Sequence, residues 1–192
     1  CLDNLPQLRY NRGDQTRGQI LMHDQVLLAK GGQEVGVYLQ KGAFAVRIAA
    51  QNFCRDLNSI CGCRAYLTQE AQNAVFLIGF LGEDAVIDAL TGDTVKDLRD
   101  ESGELRWESY LVKLLNDGRV LLAGHQRRGA IFAVYELSRF FGVSPWYFFA
   151  DVPVRRRSEA VIENGYCKVD YPSVEYRGIF INDEEELEHW VW

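Results

Sequence analysis

The stretch WESYLVKLLNDGRVLLAGHQRRGAIFAVYELSRFFG, residues 107–142, decides the fold class of this chain. Two apolar, strand-like runs flank Asn116-Asp117-Gly118, and an Asp-Gly pair between such runs is a strong local signal for a β-hairpin. The second run passes through Gly124 into a segment with helical periodicity. The inward-facing residues of that helix are Ala130, Val134, Leu137 and Phe141. A hairpin that feeds directly into a helix predicts a sheet with helices packed on it.

The sequence before this stretch alternates between strand-like and helix-like patterns. Strands are predicted at residues 25–30, 34–40, 64–69 and 74–79, and helices at residues 44–61 and 82–90. Gly31-Gly32 between the first two runs predicts a tight turn that joins them. The run at 74–79 is apolar throughout, so we expect it to be central in the sheet. The pattern predicts an α/β fold with a mixed β-sheet and helices packed on it.

Changes in polarity divide the chain into four predicted segments. Residues 1–24 are polar and are interpreted as an N-terminal arm, and residues 25–154 as the α/β domain. Residues 155–173 are polar and contain Gly165 and Pro172, so they are predicted to be a linker. Residues 174–192 contain one further strand and the start of one helix.

Composition and charge exclude several functional classes. The net charge of −6 argues against nucleic acid as a partner, because such binders carry a basic surface. No apolar run reaches the roughly 20 residues that cross a membrane. The five cysteines have no zinc-site spacing, and free thiols favour a reducing compartment without fixing the location. We therefore expect no metal, cofactor or membrane partner.

The sequence GHQRRG at residues 124–129 is one candidate site, because it joins a strand to a helix start. Free N–H groups at the helix start, with Arg127 and Arg128, could hold an anion. The favoured alternative is that these arginines pair with acidic residues or pack against another domain.

The aromatic run Trp146–Phe149 is a second candidate, since flat rings stack on sugar rings. Trp146 is the residue we expect to contact a sugar. Four consecutive aromatic residues cannot all face one ligand, so the alternative is an aromatic plug at a domain interface.

The third candidate lies in YRGIFINDEEELEHW, residues 176–190, where a strand runs into Asn182, Asp183 and Glu184. Polar residues between a strand and a helix are typical of a β/α unit of a (β/α)₈ barrel, whose strand ends form the active site. The alternative is that Asp183 or Glu184 only caps the following helix.

Two long motifs in this order, RRGAIFAVYELSRFFGVSPWYFFADVPV and PSVEYRGIFINDEEELEHW, resemble the amino-terminal region of glycoside hydrolase family 115. Members of that family are xylan α-1,2-glucuronidases. The resemblance implies that residues 25–154 are a non-catalytic domain and that residues 174–192 begin a catalytic (β/α)₈ barrel, truncated here. It also implies an inverting hydrolase acting on glucuronoxylan or its oligosaccharides, with a homodimer as one assembly of the full-length protein.

The resemblance implies roles for the residues at the chain end. Asp183 is the catalytic carboxylate that positions or activates water, and Asn182 binds a sugar hydroxyl or orients Asp183. Glu184 caps the helix and Arg177 is structural. The second carboxylate must come from a later strand, so we expect the 192-residue chain alone to be inactive.

Two other functions stay open on the sequence. One is an accessory module that binds carbohydrate or a protein partner without catalysis. The other is a different barrel glycosidase, such as a hexosaminidase, which the FINDE sequence disfavours. Gln126 stands where the family motif usually has an acid before the arginines, so a charged role at that position is in doubt.

Overall fold

The computed structural model describes residues 25–40 and 44–178, without the side chains of Phe148 and Phe149. The strands are β1 (Gln25–Lys30), β2 (Glu34–Leu39), β3 (Arg64–Thr68), β4 (Phe76–Phe80), β5 (Tyr110–Leu114), β6 (Val120–Gly124), β7 (Glu159–Glu163) and β8 (Cys167–Asp170). The α-helices are α1 (Phe44–Cys61), α2 (Ala85–Thr91), α3 (Gln126–Phe141) and α4 (Tyr147–Ala150). Short 3₁₀ helices lie at Ala71–Asn73 and Gly92–Leu98.

The main sheet has six strands in the order β3-β2-β4-β6-β5-β8. The first four are parallel, whereas β5 is antiparallel to both of its neighbours. The β5–β6 pair is the hairpin that Asn116-Asp117-Gly118 predicted, and it closes with Leu114 opposite Val120. The predicted α/β class and mixed sheet are therefore confirmed.

Helices cover both faces of this sheet. On one face, α1 and α3 pack over Phe76, Ile78 and Leu122. On the other face, α2 and the 3₁₀ helix that follows it contact Leu77 and Leu121, as the two-residue period of a strand requires. Within the described residues, no helix is long and apolar enough to cross a membrane.

The first two strands are joined by the predicted turn but do not pair with each other. β1 pairs with β7 in a separate two-stranded antiparallel sheet, with Val26 opposite Ile162. β2 cannot pair with β1 because β3 and β4 occupy both of its edges. The Gly31-Gly32 turn does form, since the Gln33 N–H donates to the Lys30 carbonyl, but the turn separates two sheets.

The predicted linker over residues 155–173 is wrong where it carries β7 and β8. In β7, Ala160 and Ile162 are buried and Val161 is half-buried, so this strand is part of the core. β8 extends the main sheet and pairs with β5 from Tyr110 opposite Asp170. Its polar composition suits an edge strand, whose outer side faces water.

A short connection over β2 depends on one glycine. β3 and β4 lie on either side of β2, so residues 69–75, which join them, must cross over β2. Crossovers between parallel strands usually need about a dozen residues or more. This short connection is possible because its backbone at Asn73 packs directly against Gly36. A Cβ atom on Gly36 would be only 2.3 Å from the Asn73 carbonyl oxygen.

Candidate functional site

A groove of about 930 Å³ runs along the outer faces of α1 and α3. Residues that follow β8 on the way out of the domain, Tyr171, Pro172 and Arg177, complete its wall, so we call it the exit groove. Five aromatic rings line it, from Tyr110, Phe132, Tyr135, Tyr147 and Tyr171. Three carboxylates also line it, from Asp56, Glu136 and Asp170. The groove thus combines aromatic rings with many polar side chains, and aromatic residues are enriched where proteins bind other molecules or domains.

Glu136 is the best-paired carboxylate of the groove. Its Oε1 accepts from Arg139 Nη2 at 2.7 Å and from Lys168 Nζ at 2.6 Å. Burial raises the pKa of Glu136, but the hydrogen bonds and charges of the two cations outweigh burial, so the pKa lies below its ordinary value. Glu136 is therefore a structural link between α3 and β8.

Asp56 is held differently. The Ser138 hydroxyl donates to Asp56 Oδ2 at 2.7 Å, and no cation of the described residues lies within ion-pair distance of this carboxylate. Burial raises the pKa of Asp56 above its ordinary value, more than Ser138 and the nearby charge of Arg55 lower it. The groove wall thus carries a half-buried carboxylate without a salt-bridge partner.

The raised pKa of Asp56 predicts how stability responds to pH. The unfolded chain loses this proton near the ordinary pKa of 3.8, before the folded protein does, so Asp56 lowers stability as pH rises from there through the folded-state value. Asp56→Asn removes that loss. Urea unfolding should give similar free energies for both proteins below the ordinary pKa and a higher one for the variant at neutral pH.

The matched control is Asp97→Asn, because Asp97 is exposed and has no side-chain hydrogen bond in the described residues. That variant should show no such difference between acidic and neutral pH. A neutral-pH loss of stability in Asp56→Asn would contradict the prediction.

A second group, which we call the Glu108 cluster, consists of Glu108, Arg128, Arg177 and Phe132. Glu108 is only 1% exposed, and its Oε1 accepts from Arg128 Nη1 at 3.0 Å. Its other oxygen pairs with Arg177 Nη2. Both guanidinium groups lie over the Phe132 ring, at 5.8 Å and 5.6 Å from its centroid. One buried carboxylate thus connects α3 to the segment that leaves the domain.

The backbone around this cluster is also unusual. Glu108 and Gln126 both have positive φ, at 49° and 63°, which costs free energy in residues with a Cβ atom. The predicted alternative for the GHQRRG sequence is confirmed for Arg128, which pairs with an acid. At least one Arg128 nitrogen is therefore paired with a carboxylate.

We expect Glu108→Gln to lower the free energy of unfolding by about 2–3 kcal/mol. Loss of one partner from a fully buried ion pair costs about 3–5 kcal/mol. The expected value is smaller because more than half of the Arg128 side chain is exposed and can be hydrated. Chemical denaturation of the two proteins measures the difference.

Glu104→Gln is the control for that experiment, since the Glu104 side chain is exposed. It should change the free energy of unfolding by less than about 0.5 kcal/mol. Equal stability of Glu108→Gln and the unchanged chain would show that the ion pairs of the Glu108 cluster do not stabilise the fold.

Of the residues singled out in the sequence, Arg177 lies in the exit groove and Trp146 does not. Trp146 is 63% exposed at the start of α4 and is not part of the groove lining, whereas its neighbour Tyr147 is. Asn182, Asp183 and Glu184 lie outside the described residues. Arg177 is in the Glu108 cluster and also lines the groove.

Sequence reasoning did not identify Glu108, Asp56 or Tyr135. Asp56 and Tyr135 occupy helix positions beside the inward-facing apolar residues, and that spacing is a usable signal for a groove between two packed helices. Nothing local indicates that Glu108 is buried, because both of its partners are distant in the sequence.

Comparisons with known proteins include an informative similarity to a solved structure. No family model and no curated protein matches this sequence. Among solved structures, the chain is similar to BtGH115A, described as a family GH115 4-O-methyl-α-glucuronidase with specificity for decorated arabinogalactans. The two share 28% sequence identity with a TM-score of 0.72 over 82% of this chain. The predicted resemblance to family 115 is confirmed.

The chain spans about a fifth of the length of this family 115 enzyme, since the match covers 20% of that protein. A second structure, CpGH84D, matches with 16% identity and a TM-score of 0.44, over 80% of this chain and 24% of that one. That similarity is too low to support an argument about function.

Proposed function

We propose that this chain is the amino-terminal part of a glycoside hydrolase that removes glucuronic acid, or its 4-O-methyl ether, from xylan side chains with inversion. The observation that carries the proposal is the similarity to the family 115 enzyme, with 28% identity and a TM-score of 0.72. The motif YRGIFINDE at residues 176–184 supports it, because the predicted catalytic strand follows the described fold directly.

The proposed chemistry needs two carboxyl groups. An inverting glycosidase uses one acid to protonate the leaving oxygen and one base to activate water, about 6.5–9.5 Å apart. Asp183 is the proposed base, and Asn182 binds a sugar hydroxyl or orients Asp183. Adjacent residues on one strand end cannot supply both groups at that separation, so the acid comes from a later barrel strand.

The described domain has a supporting role in this proposal. Arg177 lies shortly before Asn182 in the sequence, and its guanidinium is held by the buried carboxylate of Glu108. That contact fixes where the predicted catalytic strand begins. Because a barrel closes with eight strands, we propose that residues 1–192 are inactive by themselves.

The test compares this chain with the polypeptide encoded by the gene when it is read past Trp192. Both proteins are incubated with glucuronoxylan, and released 4-O-methylglucuronate is followed by NMR. We expect release only by the longer protein, with the β-anomer of the acid appearing first, as inversion of an α-linkage requires. Release by the 192-residue chain, or the α-anomer first, would refute the proposal.

A second substrate is favoured by one observation, the description of the similar enzyme as specific for decorated arabinogalactans. The terminal sugar is the same type, but the main chain that carries it differs. The same assay with glucuronidated arabinogalactan distinguishes the two: the substrate with the higher kcat/KM identifies the main chain that the enzyme recognises.

The accessory-module alternative predicts a different result. Trp146 is 63% exposed and could stack on a sugar ring. Under this alternative, titration of the 192-residue chain with xylo-oligosaccharides shows saturable binding that Trp146→Ala abolishes. Under the proposed function, the titration shows no binding.

A further inference from the structure

We propose that the exit groove is the surface on which the next domain of the same polypeptide docks. This inference rests on the proposed function, which supplies the occupant, a catalytic barrel predicted to begin at residue 174 and to continue past the described residues. The groove is then an internal interface of a longer protein and is not a separate sugar site.

The path of the chain is the first argument. After β8, the backbone runs along the groove, and Asp170, Tyr171, Pro172 and Arg177 all contribute to its wall. Gly178 follows directly. A domain that continues from Gly178 therefore starts next to Arg177, a residue of the groove wall, and so close to the groove that α1 and α3 form.

The anchoring of Arg177 is the second argument. Its guanidinium pairs with the buried Glu108 carboxylate and lies 5.6 Å from the centroid of the Phe132 ring, itself a groove residue. The last anchored side chain is thus immediately before Gly178. This contact fixes the described chain as far as Arg177.

The exposed surface is the third argument. Tyr135, Tyr147 and Tyr171 line the groove and are 43%, 48% and 46% exposed. Trp146 and Tyr176, close to them in the sequence, are 63% and 88% exposed. Tyrosine and tryptophan are enriched where proteins contact each other, and such a concentration on a free surface marks a site of interaction.

The carboxylate of Asp56 indicates the chemistry of the occupant. It lies in the groove wall with a hydroxyl donor, Ser138, and no ion-pair partner in the described residues. Arg55, the adjacent cation, instead donates to the Asn52 side chain. The docked surface should therefore present apolar groups to the tyrosines and an Arg, Lys or N–H donor to Asp56.

Hydroxyl-radical footprinting with mass spectrometry tests the proposal, because the oxidation rate of a tyrosine reports its exposure. We compare the 192-residue chain with the longer polypeptide encoded by the gene. Tyr135 and Tyr147 should be oxidised at least five-fold more slowly in the longer protein. Tyr66 is the control, since it is 45% exposed on the edge strand β3, away from the groove, and its rate should not change.

Several outcomes would overturn the docking proposal. Unchanged oxidation of Tyr135 in the longer protein is one. Another is protection of Tyr135 in the 192-residue chain by xylo-oligosaccharides, which would make the groove a sugar site. Protection that increases with the concentration of the 192-residue chain would show that a second copy occupies the groove. A stop codon directly after Trp192 would remove the occupant and overturn the proposal together with the proposed function.

Failure of docking and failure of the proposed function are otherwise distinguishable. A longer protein that releases glucuronate but leaves Tyr135 exposed refutes only the docking. One that protects Tyr135 but has no glucuronidase activity refutes only the function. Tyr135→Arg in the longer protein should restore rapid oxidation of Tyr147, and Tyr66→Arg should not; both positions are exposed enough to accept arginine in the isolated domain.

Discussion

Gly124→Ala should strongly destabilise the native fold. A Cβ atom on Gly124 would lie 2.1 Å from both the Ala130 nitrogen and the Gly129 carbonyl carbon. These are backbone atoms of the first turn of α3, so no side-chain rotation relieves the overlap. β6 is an inner strand of the main sheet and α3 covers it, so separating them disrupts the core.

The second glycine of the junction shows why the approach is so close. A Cβ atom on Gly129 would lie 2.5 Å from the Ser109 carbonyl oxygen, on the segment that leads into β5. Two strand ends and a helix start thus meet where only hydrogen atoms fit. Adding a methyl group to a packed core usually costs about 1–3 kcal/mol. With backbone on the other side, we expect about 4 kcal/mol or more, a large part of a domain's total of about 5–15 kcal/mol.

Circular dichroism and urea unfolding of the purified variant measure this effect. Gly178→Ala is the matched control, because an added Cβ atom there meets nothing within 4 Å and the backbone is not in the left-handed region. The control should match the unchanged chain. A Gly124→Ala protein within 1 kcal/mol of it would show that β6 and α3 do not pack as described.

Asp183→Asn should lower kcat of the longer polypeptide by about two to four orders of magnitude, the range for loss of a general acid or base. The amide keeps the shape of the side chain but cannot accept a proton from the attacking water. The proposed role predicts that KM changes little, because a base acts in the transition state. Release of 4-O-methylglucuronate from glucuronoxylan measures both constants.

Two neighbouring variants separate the roles at the chain end. Glu184→Gln should change kcat less than five-fold, since Glu184 is proposed to cap a helix. Asn182→Ala should raise KM if the amide binds a sugar hydroxyl and lower kcat if it orients Asp183. Full activity of Asp183→Asn would place the catalytic base elsewhere and contradict the proposed mechanism.

Local patterns in the sequence predicted the elements that are stabilised by near neighbours. The helix at Phe44–Cys61 and the helix at Gln126–Phe141 follow from apolar residues at three- and four-residue steps. The β5–β6 hairpin follows from Asp117-Gly118. In each case the residues that form the element are close to each other in the sequence.

Pairings between distant segments were not predictable in this way. Gly31-Gly32 correctly indicates a turn, but nothing near it shows that β1 pairs with a strand at Glu159–Glu163. Residues 155–173 have a linker composition because β8 is an edge strand. The partners of Glu108 are equally remote, so a buried carboxylate on a loop looks like any surface glutamate. The resemblance to family 115 was recognised from two long motifs. Such motifs carry information about the whole fold, whereas periodicity reports only on local structure.

The pairing of β1 with β7 has a consequence for biosynthesis. Gln25 lies opposite Glu163, so β1 near the start of the described chain cannot form its ladder of hydrogen bonds until β7 near its end has been made. During translation, the nascent chain must therefore extend beyond residue 163 before this small sheet closes, and beyond residue 170 before β5 gains its outer neighbour. A protein expressed only to residue 154 would lack β7 and β8. Strand β1 would then have no partner and one edge of β5 would be unpaired, and unpaired strand edges favour aggregation.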